Sequence, residues 1–401
     1  MATLTDQAPA NGGARPFHGD SESKGRSRLL YIDNLRVLLT ILVILHHLAI
    51  GYGAEGGWAY KEGGPRSVVS TVLMTWFVAV NQSFFMGLFF LLSSYFLPGS
   101  FERKGARAYV FDRLKRLGIP WAVYELVIHP FLDYSLLRPT EFPRYFLRYL
   151  PMYWERVRSY ADSPMWFLEM LLVFSFLYVV WRLLTGRRAA AAPTHGEAPG
   201  NPAIALFALL LGLATFVVRI KWPIGRWYEP LHWQIAHLPQ YVALFAVGIL
   251  AYQRGWLEGL TAAQGRLWGR VALLLAPVFP IVAIAAGALR RGLRAFFGGL
   301  GWQALFYAPW DQAMCVAVSV ALLVFFRERL NRQGKLAAAL SDSAYGAYIF
   351  HGPVIIWLAM ALRGVRMDMG LKFLLVAPFA VTLTFLVAYV AKKLPVARSI
   401  L

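Results

Sequence analysis

The chain has 401 residues, 58% hydrophobic and only 15% charged, with a mean hydropathy of +0.51. Soluble domains carry about 25% charged residues, so a water-soluble fold is excluded. The formal charge of +19 invites nucleic acid as a partner, but the 40 Lys and Arg are spread over short segments between apolar runs. That is the distribution of a membrane topology, not of a basic domain.

From the N-terminus, residues 1–28 are polar and contain Gly, Ser and Pro, and read as a disordered cytoplasmic tail. The apolar run that follows is too long for a cleavable signal and is expected to stay as the first span. Ten spans are expected, at about 30–52, 68–97, 118–137, 164–184, 203–218, 235–252, 268–289, 309–326, 343–362 and 371–391. The second is long for one crossing, and Asn81-Gln82 in its middle suggests a bend or a projecting part. The runs are continuously apolar, as helices are, and lack the alternation of barrel strands. The expected fold class is therefore all-α, a polytopic integral membrane protein of about ten transmembrane helices. Residues 29–392 form one membrane domain interrupted by a flexible cytoplasmic linker at 185–202, and 393–401 a cytoplasmic tail.

Leaving out Arg36, segments on the side of the N-terminus hold 23 Lys and Arg and those on the other side 16. This bias places both termini in the cytoplasm. Residues 101–118 interleave basic with apolar side chains, as an amphipathic helix on anionic membrane lipid does. The only cysteine, Cys315, excludes an intramolecular disulfide and a cysteine zinc cluster, and no metal is expected.

Ionisable groups inside a span cost roughly 2.5–3.5 kcal/mol or more, which makes them functional candidates. The first span holds Asn34 and Arg36 near its start and His46 and His47 deeper. At 100° per residue, Arg36 and His47 project from one face about 16 Å apart, with His46 turned about 100° away. A guanidinium holds anions or carbonyls, and a histidine moves protons near neutral pH. The competing reading is an Arg36 that snorkels and histidines that bond across helices. Trp166, Glu169, Gln240, Tyr241 and His351 add polar groups in later spans, and Glu125 and His129 share a helix face. A Ser93 or Ser94 nucleophile paired with a histidine finds no orienting third group in the sequence. Trp222, Trp227, Tyr228 and Trp233, with Arg219, Lys221, Arg226 and His232, form an aromatic and basic loop suited to a carbohydrate ring or to an interfacial belt.

The run YIDNLRVLLTILVILHH, with an arginine and then a histidine ten intervening residues later, resembles the opening signature of the acyltransferase-3 family of membrane-bound O-acyltransferases. FFMGLFFLLSSYF (84–96), RAYVFDRLKRLGIPW (107–121), MWFLEMLLVF (165–174), HLPQYVALFAVGILAY (237–252) and SAYGAYIFHGPV (343–354) extend the likeness in order. Ser94 stands where the family usually has glycine. The chain is expected to end after the tenth span and to lack the esterase-like domain that some members append.

The resemblance implies a bacterial inner-membrane enzyme that transfers an acyl group from a cytoplasmic acyl-CoA, such as acetyl-CoA or succinyl-CoA, to a hydroxyl-bearing acceptor. That acceptor is a carbohydrate, a glucan or a secondary metabolite. With that chemistry, His47 is the expected general base and Arg36 the group that holds or polarises the donor. Arg103, Arg107, Arg113 and Arg116 are expected to attract the nucleotide phosphates. Asn34, Trp166, Glu169, Gln240, Tyr241 and His351 are the expected substrate contacts. The alternative is a proton-coupled transporter or flippase for a glycan or lipid-linked substrate. Oligomeric state is left open.

Overall fold

The computed structural model describes residues 29–137, 163–186, 196–228, 233–398 and 400. Among these the regular structure is helical, apart from one isolated bridge between Tyr228 and Trp233. Helix α1 spans Leu30–Gly51, α2 Val68–Tyr95 and α3 Leu97–Arg113. Then follow α4 (Trp166–Thr185), α5 (Asn201–Lys221), α6 (Leu238–Arg254), α7 (Ala262–Leu275), α8 (Val278–Ala285), α9 (Trp302–Arg329), α10 (Lys335–Ala361) and α11 (Met369–Ala391). Among the described residues nine helical stretches are long and apolar enough to cross a membrane, with α7 and α8 counting as one. The chain is an all-α polytopic membrane protein.

The expected third span is the exception, and prolines explain it. Between Leu114 and Leu137 the chain stays helical but alternates α turns with two π turns, Leu114–Gly118 and Tyr124–Ile128. Pro120 and Pro130 have no N–H to donate to the carbonyls of Arg116 and Leu126, and single π turns are a common local adjustment. The Arg116 carbonyl instead accepts the Tyr345 hydroxyl from α10. Further along, Tyr124 lies against Gly352, and Trp357 Nε1 donates to Ser135 Oγ at 3.0 Å. These contacts advance together along both chains, so the broken run ascends beside α10 from Tyr345 to Trp357.

Two faces can be defined by what the ends touch. On the first, Asn34 Nδ2 donates to the carbonyls of Leu330 (2.6 Å) and Arg332 (3.0 Å), joining the start of α1 to the turn before α10. On the far face, Met369 N donates to Pro65 O at 3.1 Å, joining the α1–α2 strap to the start of α11. The second span is one uninterrupted 28-residue helix. Its Asn81 makes no bend, and donates instead to Leu42 O of α1 at 3.1 Å. The basic segment does bend, at Gly105 with φ +73°, a conformation that glycine adopts without steric cost.

Helices α2 and α6 approach closely, because Gly248 leaves room for Leu91 and Ser94, and Gly87 for Gln240. Gln240 Nε2 donates to Ser83 O (2.7 Å) and to Gln312 Oε1 (3.0 Å). Arg219 and Asp311, 1% and 2% exposed, form an ion pair at 2.6 Å between α5 and α9. Hydrocarbon offers no competing partner, so such polar contacts fix which helices meet.

Candidate active site

The last turns of α1 carry His46 and His47 to the far half of the bundle. His46 is buried and turns toward α2, stacked on Phe85 with ring centroids 5.0 Å apart and with Nδ1 3.4 Å from Asn81 Nδ2. His47 turns the other way. Its Nδ1 lies 3.0 Å from the Val43 carbonyl and 3.2 Å from Nε2 of His351 on α10. His351 is fully buried, and its own Nδ1 lies 2.5 Å from the Tyr348 carbonyl.

Carbonyl oxygens only accept, and this assigns the hydrogens. Nδ1 of His47 and Nδ1 of His351 each carry one. The His47 Nδ1–H is shared between Val43 O and the Nε2 lone pair of His351, so Nε2 of His47 keeps its own lone pair. That is the form of histidine that takes a proton from a hydroxyl.

The strap between α1 and α2 closes over this pair. Trp58 stands at 4.1 Å, centroid to centroid, from the His47 ring and at 6.1 Å from His351. His47, Gly51, Tyr52, Trp58, Tyr60, Ile355, Ile356 and Ala359 line a narrow hollow of about 10 Å³, the space of one water. Tyr52 is fully buried, and its hydroxyl has no hydrogen-bond partner among the described residues. Nearby, Tyr348 donates its hydroxyl to Pro164 O.

The family model of the acyltransferase-3 domain, described as an acyltransferase domain, matches residues 29–393. The chain belongs to the acyltransferase-3 family. It is similar to the glucans biosynthesis protein C of Escherichia coli O6:K15:H31, 25% identical over 250 residues that make up 60% of this chain and 62% of the relative. It is also similar to the Salmonella schwarzengrund protein of the same name, 24% identical over 235 residues, 56% of this chain and 58% of the relative. The chain thus spans somewhat less than two thirds of the curated relatives it matches. No solved structure matches it.

The structure of this acyltransferase-3 member separates residues that the sequence grouped. Arg36 lies at the first face, 3.4 Å from Asp33 Oδ1 and over the Phe96 ring at 5.0 Å, and does not share the His47 cavity. The amide of Asn34 is engaged by the turn before α10, with Gln333 Nε2 donating to its Oδ1 at 3.0 Å, so it works as a helix tie. Trp166 stacks on Tyr241 at 5.4 Å and Tyr241 on His237 at 5.9 Å, a row of rings between α4 and α6. Glu169 is half-buried on α4. Gln240 faces Ser83 and Gln312, away from the histidines. Of the six expected substrate contacts, His351 meets His47.

Of the four expected phosphate-binding arginines, Arg103 and Arg107 are exposed beside a shallow hollow lined by Lys104, Gly105 and Phe111. Arg113 folds over Tyr109 at 4.9 Å. Arg116 lies 3.2 Å from Asp112, which Lys104 also meets at 2.9 Å. Partial burial acts to raise the Asp112 carboxyl, but the Lys104 hydrogen bond and the Arg116 charge outweigh it and hold the group below the usual carboxylate range.

Ser94 donates back to Leu91 O at 3.0 Å and stays within its own helix. Glu125 and His129 pair at 2.9 Å. In the aromatic loop, Lys221 sits over Trp222 and Arg226 over Tyr228; His232 lies outside the described residues. The sequence reading passed over Trp58 and the Glu62–Lys372 pair. Lys372, a lone charge in an apolar run, is the signal that would have found the pair; Trp58 has no such mark.

Proposed function

We propose that this protein is a membrane O-acyltransferase that moves an acyl group from a cytoplasmic acyl-CoA to a hydroxyl of a glucan or another carbohydrate acceptor. The observation that carries the reading is the His47 ring, whose Nδ1 is engaged by Val43 O and His351 and whose Nε2 lone pair is left for chemistry. Family membership supports acyl transfer, and the names of the two relatives support a glucan acceptor.

In this mechanism His47 Nε2 takes the proton of the acceptor hydroxyl as its oxygen attacks the thioester carbonyl carbon. The carbon–sulfur bond breaks, and the proton on His47 passes to the departing thiolate, which leaves as the free thiol. The His47 imidazolium formed midway donates more strongly through Nδ1–H to His351 and Val43 O than the neutral ring does. The Tyr52 hydroxyl, unpartnered at the same cavity, is the group available to donate to the developing oxyanion. Arg103 and Arg107 draw the donor phosphates to the first face, with both termini in the cytoplasm. Arg36 lies at that same face, about three helical turns before His47 on α1.

The test uses purified protein in detergent with labelled acetyl-CoA or succinyl-CoA and a linear glucan. His47→Ala is expected to lower kcat by about 10²–10⁴-fold with the fold retained. Wild-type turnover by a monodisperse His47→Ala protein would overturn the assignment.

A further inference from the structure

The hollow at the His47 ring is narrow, and the ring is half-buried. At about 10 Å³ it admits a water but no sugar hydroxyl with its ring attached, so an acceptor that approaches His47 through this hollow needs a wall to move. Two walls are α1 and α10. The third is the strap of residues 52–67, which brings Trp58 onto the His47 ring.

What holds the strap is polar and buried. Glu62 and Lys372 meet at 2.5 Å with side chains 4% and 1% exposed. The remaining ammonium hydrogens of Lys372 go to Leu362 O (2.7 Å) and Val365 O (3.1 Å), and Glu62 N donates to Gly51 O at 2.8 Å. Strap, α10–α11 turn and the end of α1 are thus tied at one point. A second tie lies at the strap's exposed end, where Asp368 accepts from Ser67 N (2.9 Å) and Ser70 Oγ (2.5 Å). A buried ion pair contributes little net stability beyond what apolar residues of the same size would give. It differs from them in separating readily once water enters.

We infer that the 52–67 strap is the acceptor's door to His47, and that Glu62 and Lys372 are positioning residues that latch it with Trp58 in place. The inference rests on His47 as the base.

The test reads the door without turnover. Full-length protein in detergent is treated with diethyl pyrocarbonate, and modification of His47 is followed by mass spectrometry of its peptide. Wild type is expected to react slowly and Glu62→Gln roughly tenfold faster. In the same Glu62→Gln protein the acceptor KM is expected to change and the donor KM to stay. If Glu62→Gln is not monodisperse, Asp368→Asn loosens the strap from its exposed end and is read in the same way. His47 reacting at the wild-type rate in whichever folded variant is used overturns the inference. Since reactivity is measured apart from catalysis, failure of the base assignment leaves the strap result standing, and the reverse also holds.

Discussion

A histidine serves as a base only while one ring nitrogen stays free, and here the backbone secures that. Val43 O, one helical turn before His47, fixes the Nδ1–H tautomer from within α1. His351 then supplies a second acceptor for the same hydrogen. His351→Ala is therefore expected to keep the tautomer and lose one hydrogen bond, a cost of about 0.5–1.5 kcal/mol that lowers kcat on the order of tenfold. Steady-state kinetics check this: a loss as large as that of His47→Ala would mean that His351 itself carries the proton. Arg36 and His47 were legible in the sequence because lipid penalises them. Their shared helical face was legible too, but not their neighbours, since Arg36 meets Phe96 and His47 meets a residue 304 positions away. His351 showed only as a polar residue before Gly-Pro, and nothing in a one-dimensional pattern places Trp58 on the ring.

Helices in this molecule are shaped by a few residues whose backbone properties the hydropathy pattern ignores. The length and apolarity of most spans could be read directly, because about 20 apolar residues in a row have few alternatives. The third, expected at 118–137, is helical there as well, but the rule does not show that it is broken. Its two prolines interrupt the hydrogen-bond ladder, π turns take up the slack, and the freed Arg116 carbonyl is met by Tyr345. Asn81 misled in the opposite direction, since its side chain is satisfied by α1 and α2 continues straight. Close packing of α2 on α6 is set by Gly248, where an added Cβ would meet the Leu91 backbone and the Ser94 hydroxyl well inside contact distance. A backbone cannot swing aside as a side chain can. Gly248→Ala is thus expected to destabilise the protein by about 1–3 kcal/mol, seen as a lower midpoint of thermal unfolding in detergent; an unchanged midpoint would mean that the two helices separate without cost.

The whole molecule has two unlike ends. Exposed Arg103 and Arg107 stand at the first face, and the His47 cavity lies in the far half under a strap that belongs to the far face. A donor held by its phosphates at one face and an acceptor entering at the other would meet only inside the bundle; the membrane would then keep the substrates apart and the protein would join them. This arrangement makes a sidedness prediction. In sealed vesicles with uniformly oriented protein, acyl-CoA supplied on the side of the N-terminal tail is expected to acylate glucan on the opposite side, and the same mixture in detergent to turn over without any membrane. The dependence on salt belongs to the same argument: arginines that attract phosphates through solvent act over a Debye length of about 10 Å at 0.1 M. Replacing Arg103 and Arg107 together by Gln should raise the donor KM several-fold at low salt and little at high salt, leaving kcat near wild type. Labelled glucan moving across sealed vesicles, with no ester formed and no turnover in detergent, would instead identify a transporter, and the His47 cavity would then be a station on a path.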